Sequence, residues 1–231
     1  MRSLTACQRE ITLTLTLTPT FTLTQVHMRS LPAKERCPWD EDTCAAAAEG
    51  GHLDILRWAR QRKCKWDANT CLSSAAAGHL HVLQWARKNA CPWDAAVAHE
   101  AARRGHTEIV VWAMANGLEL DSYDIRGIGM AAAGEGGSVE VLQHLLDNHP
   151  SWTSAGAGPH PMLGVMTEAV GNGRVEVLQW LVDRKLLGKY EARRIALLAA
   201  RRGQLHVLEW VSSNAEVVPL NKTVAMEVLE P

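Results

Sequence analysis

Phenylalanine and tyrosine are nearly missing from this chain: one Phe and two Tyr stand beside nine Trp in 231 residues. Ordinary cores draw on all three, so the imbalance points to one Trp-bearing motif copied several times. An excess of charge is missing too, since 24 Lys and Arg meet 25 Asp and Glu for a net charge of −1. A near-neutral chain is not built as a dedicated binder of nucleic acid or of anionic membranes. No apolar run reaches the roughly 18 residues that a membrane helix needs. Neither a solid apolar stretch nor a small-residue cleavage site follows Met1, so no secretory signal is expected. The six Cys are therefore expected as reduced thiols in an intracellular, cytoplasmic setting. Also absent are a Cys-x-x-Cys pair, a Gly-rich phosphate loop and a nucleophile elbow. Ser, His and Asp never fall into an arrangement that suggests a triad. The expectation is a protein that is not an enzyme and has no cofactor, no metal site, no nucleic-acid partner and no membrane partner.

What is present is repetition. Residues 1–36 stand apart as a low-complexity segment that carries "ITLTLTLTPTFTLT". Its strict period of two reads as a β-prone strand broken by Pro19, but no partner strand follows, so the segment is expected to be disordered. From residue 37 one theme returns. Cys37-Pro-Trp-Asp40 recurs as Cys64-Lys-Trp-Asp67 and Cys91-Pro-Trp-Asp94, at a spacing of 27 both times. Gly51-His-Leu53 recurs as Gly78-His-Leu80 and Gly105-His-Thr107, then more loosely at Gly137, Gly173 and Gly203. The six units have spacings of 27, 27, 32, 36 and 30. Chance does not return near-copies at identical spacing.

Each unit reads as two short helices. Asp40 is placed to N-cap the first, and Trp39, just before it, is placed to staple Cys44; Trp66 with Cys71 and Trp93 with Ala98 repeat the pairing. The turn glycine supplies a left-handed C-terminus. The second helix sets Leu53, Leu56, Trp58 and Ala59 on one face, with Arg60, Arg62 and Lys63 toward its end. A Pro- and Gly-containing insertion occupies residues 149–164, and Asn221 is placed to start a terminal half-repeat. The repeat domain is thus expected over 37–231.

The units resemble ankyrin repeats, whose pattern T-P-L-H-x-A-A-x-x-G-H-x-x-I-V-x-x-L-L is matched in part over roughly residues 37–217. Ala47-Ala48, Gly51-His52, Ile55-Leu56 and Trp58-Ala59 take the family's Ala-Ala, Gly-His, Ile-Val and Leu-Leu places, with Cys44 in place of the Leu of T-P-L-H. "EAARRGHTEIVVWAMANG" (100–117) lies closest to the pattern. The 27-residue spacing is shorter than the family's usual 33, and the residues missing are those of the β-hairpin finger. The resemblance implies an all-α fold: an α-solenoid of stacked helix-turn-helix units with short or missing fingers. It also implies that the polar residue after the turn glycine bonds locally.

Aligning the units on the turn glycine separates scaffold from surface. The column Cys44, Cys71, Ala98, Met130, Met166, Ala196 is small or apolar, so its cysteines read as core rather than as zinc ligands. The column Trp58, Trp85, Trp112, His144, Trp180, Trp210 also reads as core, where truncation to Ala would cost about 3–5 kcal/mol. The column His52, His79, His106, Ser138, Arg174, Gln204 fades into ordinary polar residues and does not read as a metal site. Two columns vary in size and charge: Ala46, Ser73, Glu100, Ala132, Glu168, Leu198 and Glu49, Ala76, Arg103, Glu135, Gly171, Arg201. From them Glu49, Ser73, Glu100, Arg103, Glu135, Glu168 and Arg201 are candidate partner-binding residues on the concave face that the resemblance implies. The expected function is a monomeric, non-catalytic scaffold for a protein partner. A Cys/His metal or redox protein, a hydrolase or transferase with residues gathered from several units, and a non-functional fragment of a repeat gene are the alternatives.

Overall fold

The computed structural model describes residues 40–153, 161–187 and 191–214. These form twelve α-helices and, among the described residues, no strand. In chain order they are α1 (Glu41–Glu49), α2 (Leu53–Gln61), α3 (Ala68–Ala76), α4 (Leu80–Lys88), α5 (Ala96–Arg103), α6 (Thr107–Ala115), α7 (Ser122–Ala131), α8 (Val139–Asn148), α9 (Pro161–Gly171), α10 (Val175–Asp183), α11 (Glu191–Arg202) and α12 (Leu205–Ser213). The chain is all-α, and each glycine-centred unit is a pair of helices. The low-complexity segment, the Trp39 staple and the half-repeat from Asn221 lie outside the described residues.

Local chemistry sets the helix ends. The Asp40 carboxylate accepts from the Thr43 amide at 3.2 Å in a reciprocal capping box. Asp67 accepts from Asn69, and Asp121 from Tyr123 and Asp124. Each first helix ends at a left-handed glycine, with φ between 62° and 80° at Gly51, Gly78, Gly105, Gly137, Gly173 and Gly203. The following amide closes the turn on the carbonyl five residues back, as in His79 to Ser74 at 2.8 Å and Arg174 to Ala169 at 2.8 Å.

Each helix pair packs on the next, first helix against first and second against second. The first helices bury a four-residue stripe such as Val97, Ala98, Ala101 and Ala102. Small side chains there let successive backbones approach closely. The second helices supply the bulk: Leu83, Ile109, Leu142, Leu145, Leu178 and Leu181 are all buried.

The fourth unit departs from the others. Its buried stripe is Ile128, Gly129, Ala132 and Ala133, 31 residues after that of α5, while its turn glycine follows 32 residues after Gly105. The extra residue is taken up in a π-helical turn, Ala132–Gly136, kinked at Gly134. Accordingly the Ser138 amide reaches six residues back, to Ala132 at 2.8 Å. Gly129, not Met130, therefore occupies the cysteine column, and Ala131 replaces Ala132 in the variable one. The Trp152 ring, from the 3₁₀ turn Pro150–Thr153, fills the space that a Cβ on Gly129 would need.

The second helices also end in left-handed residues, but mostly not in glycine: Lys63 (φ 64°), Ala90 (φ 62°) and Lys185 (φ 56°), against Gly117 (φ 84°). A side chain in that region costs about 1–2 kcal/mol. We expect Ala90→Gly to stabilise by up to about 1 kcal/mol and Gly117→Ala to destabilise by about as much. Urea unfolding of the two variants checks the opposite signs.

Candidate functional site

The first helices carry the largest sequence variation and the most structured surface. A groove of about 530 Å³ runs across α5, α7 with its π turn, and α9. Ala96, His99 and Arg103 form one wall, Tyr123, Gly127, Met130, Ala131 and Glu135 the centre, and Glu168 the far side. No second-helix residue lines it. Two glycines shape it. A Cβ on Gly127 would meet the His99 ring at 3.4 Å, and one on Gly134 would meet Glu168 Cβ at 3.4 Å. Tyr123 stands at the groove with 81% of its surface exposed.

An ion-pair network ties two units together beside this groove. Arg103 holds Glu100 with two donors, Nε to Oε2 at 2.9 Å and Nη2 to Oε1 at 2.5 Å. Its Nη1 reaches Glu135 in the next unit at 2.5 Å, and Arg104 Nε adds a contact to Glu100 at 3.0 Å. The hydrogen bond from Arg103 is the main reason that the Glu100 carboxyl falls from 4.5 to about 2, with Arg104 adding to it against the opposing effect of burial. The Arg103 guanidinium is raised in turn. A carboxyl with a depressed folded pKa contributes stability that is complete above its ordinary value and lost as pH falls. We therefore expect stability to decline from about pH 4.5 toward pH 2, and Glu100→Gln to lose that part of the decline. Melting temperatures measured across this range check it.

Of the candidate residues read from sequence, Glu100, Arg103 and Glu135 meet directly, and Arg103, Glu135 and Glu168 line the same groove. Glu49, Ser73 and Arg201 do not line it. Glu49 and Arg201 are exposed and Ser73 is half-buried on α3. Among the described residues the Glu168 carboxylate makes no ion pair. Tyr123, His99 and Gly127 escaped the sequence reading, and Met130, placed there in a core column, is half-buried and lines the groove. Tyr123 and Gly127 lie in no column that the glycine alignment singled out as varying in charge.

In the polar column after the turn glycine, Ser138 bonds locally, accepting from the Val141 amide at 3.3 Å, but three other members bond between units. The His106 ring nitrogen Nε2 lies 3.1 Å from the Ala76 carbonyl of the preceding turn, Arg174 Nε donates to Gly134 at 2.9 Å, and Gln204 Nε2 donates to Gly171 at 2.8 Å. Each satisfies a carbonyl that a helix C-terminus leaves open. The tryptophans work at the same seam. Trp180 is buried, but Trp58, Trp85, Trp112 and Trp210 are half-buried, so a uniform core column is corrected to a row of contacts between units. Trp180 Nε1 donates to Gln143 at 3.3 Å and Trp210 Nε1 to Gln179 at 3.0 Å, both in the preceding unit. Trp66 and Trp93 meet Trp85 and Trp112 edge-on, with centroids 5.8 Å apart, and carry Arg60 and Arg87 over their faces at 4.1 and 4.2 Å.

Among the described residues, no three His, Cys, Asp or Glu side chains gather as a metal site. Likewise no helix there is long and apolar enough to cross a membrane. No protein-family model and no curated protein matches the chain.

Proposed function

We propose that the chain is an ankyrin-like α-solenoid, a non-catalytic and monomeric scaffold that holds a partner protein on the face built by its first helices. The observation that carries this reading is the groove across α5, α7 and α9. Beneath it, the buried stripes of α5, α7 and α9 stay apolar from unit to unit. Along it, side chains change in size and charge, from His99 and Arg103 to Tyr123 and Glu168. Buried positions must keep one shape, whereas exposed ones are free to diversify toward a partner. The groove also joins features that protein interfaces favour, an exposed aromatic, a methionine and an arginine.

The test is affinity capture by the full chain from cells of its source, with Tyr123→Ala/Glu168→Arg run in parallel. The reading expects a stoichiometric protein retained by the wild type and lost by the variant. Equal retention by both, with the variant folded, moves the binding surface elsewhere.

A further inference from the structure

Four cysteines that the binding face does not use form two equivalent pairs. Cys44, on α1, points its thiol at Cys64 in the connector that opens the next unit, with the sulfurs 3.4 Å apart. Cys64 donates in turn to the Asp40 carbonyl at 3.1 Å. One unit later, Cys71 on α3 and Cys91 hold the equivalent places, and Cys91 donates to the Asp67 carbonyl at 3.4 Å. All four are free and buried. The separation is 20 residues both times, and each pair spans two successive helix pairs. Core filling alone does not require sulfur here. The equivalent places one unit on hold Ala98 and Leu118, both buried. Leu118 is identified as the equivalent by its backbone, since its amide bonds to Ala113 as those of Cys64 and Cys91 bond to Ala59 and Ala86.

We propose that Cys44–Cys64 and Cys71–Cys91 are two sites of oxidative cross-linking that tie the first three units together. In each, one thiolate attacks a low-molecular-weight disulfide and expels one thiol, leaving a mixed disulfide. The neighbouring thiolate then attacks the protein sulfur of that mixed disulfide and expels the second thiol. Two S–H bonds are lost and one S–S bond forms in the protein, while the reagent disulfide is reduced to two thiols. In the Cys44–Cys64 pair the sulfurs are 3.4 Å apart, so the second step needs only a closing movement of about 1.4 Å to the normal bond length. In the first pair burial pushes Cys44 up to about 12 and also raises Cys64, whereas in the second the neighbouring Cys71 lowers Cys91. Cross-linking of the first pair is therefore slow at pH 7 and faster at higher pH. Both bridges lie outside the groove, so they stiffen the stack without occupying the binding face.

The experiment equilibrates the full chain, in a Cys7→Ser/Cys37→Ser background, with oxidised glutathione at pH 8.5. Peptide mapping after alkylation then follows. The expected result is two bridges, Cys44 to Cys64 and Cys71 to Cys91, each lowering the mass by two hydrogens. Closing a loop of this length should raise the melting temperature by about 6–12 °C. The Cys44→Ala/Cys64→Leu variant copies the Ala98 and Leu118 pairing and so keeps the fold while removing one bridge. It should lose one bridge and part of the gain in melting temperature. Four free thiols at equilibrium, stable glutathione adducts, or bridges in any other pairing would overturn the assignment. Partner capture by the oxidised and reduced chains keeps this result separate from the binding reading, which stands or falls on Tyr123 and Glu168.

Discussion

Gly136→Ala should lower stability by about 3 kcal/mol, through a backbone collision rather than through conformational preference. A Cβ on Gly136 would fall on the carbonyl oxygen of Ala102, in the neighbouring helix pair. That atom is part of a helix C-terminus and cannot swing aside as a side chain would. The approach is tight on both sides, because a Cβ on Gly105 would in turn meet the Gly136 carbonyl at 3.3 Å. Forcing extra atoms into a packed interior typically costs about 1–3 kcal/mol, and more where backbone must move. For a chain of this size, 3 kcal/mol corresponds to a drop of about 6–12 °C in melting temperature. Gly203→Ala is the control. Gly203 also ends a first helix, at φ 68°, but no atom of the described residues lies within 4 Å of an added Cβ. It should cost only about 1–2 kcal/mol, the expense of a left-handed side chain. Chemical denaturation of both variants separates the collision from the conformational strain. In a stack where each unit touches only its neighbours, Gly136→Ala should also uncouple the later units from the earlier ones and broaden the transition.

Tyr123→Ala/Glu168→Arg should weaken partner binding by about 100-fold or more while the melting temperature moves by no more than about 2 °C. Anchoring side chains at an interface are each worth about 2 kcal/mol or more, and aromatics are prominent among them. Two such losses exceed a factor of 100 in affinity. The fold does not depend on either residue. Tyr123 is 81% exposed, and Glu168 makes no ion pair among the described residues. Reversing charge at Glu100 or Arg103 is a poorer probe, although the sequence offers both as free surface. Glu100→Arg would set a third guanidinium against Arg103 and Arg104, and Arg103→Glu would break the bridge to Glu135 in the next unit. Those variants lose packing between units together with any partner. Calorimetric titration of the captured partner, paired with thermal melts, distinguishes the two classes of effect.

Much of this architecture is legible in the sequence because it rests on local rules. Asp40 and Asp67 cap as their positions require, and the recurring glycines are left-handed at every unit. The alternation of Ala-rich and Leu- or Val-rich helices is visible in the letters. The fourth unit is not. Alignment on Gly137 looks regular, yet an extra residue hidden in the Ala-Ala-Gly-Glu-Gly turn shifts the stripe by one. A π turn has no sequence pattern of its own, and the filling of Gly129 by Trp152 depends on an insertion that begins twelve residues after that turn glycine. Contacts between units were also hard to read. A histidine after a glycine looks like a local turn residue, and only the stacking carries His106 back to Ala76. The thiol pairs left a trace in their shared separation of 20 residues, but that interval matches no helical period and joins two different columns. Of the candidate site, the charged residues could be found by their variation from unit to unit. Tyr123 could not, because its role follows from where the groove opens.

The central claim is that the first helices of the middle units hold a partner protein. Hydrogen–deuterium exchange of the full chain, free and with the captured partner bound, tests it most directly. The account predicts slowed exchange over residues 95–103, 122–136 and 161–171, with the second helices unchanged. Protection confined to the second helices or to the Trp-bearing seam would place the partner on the opposite surface and contradict it.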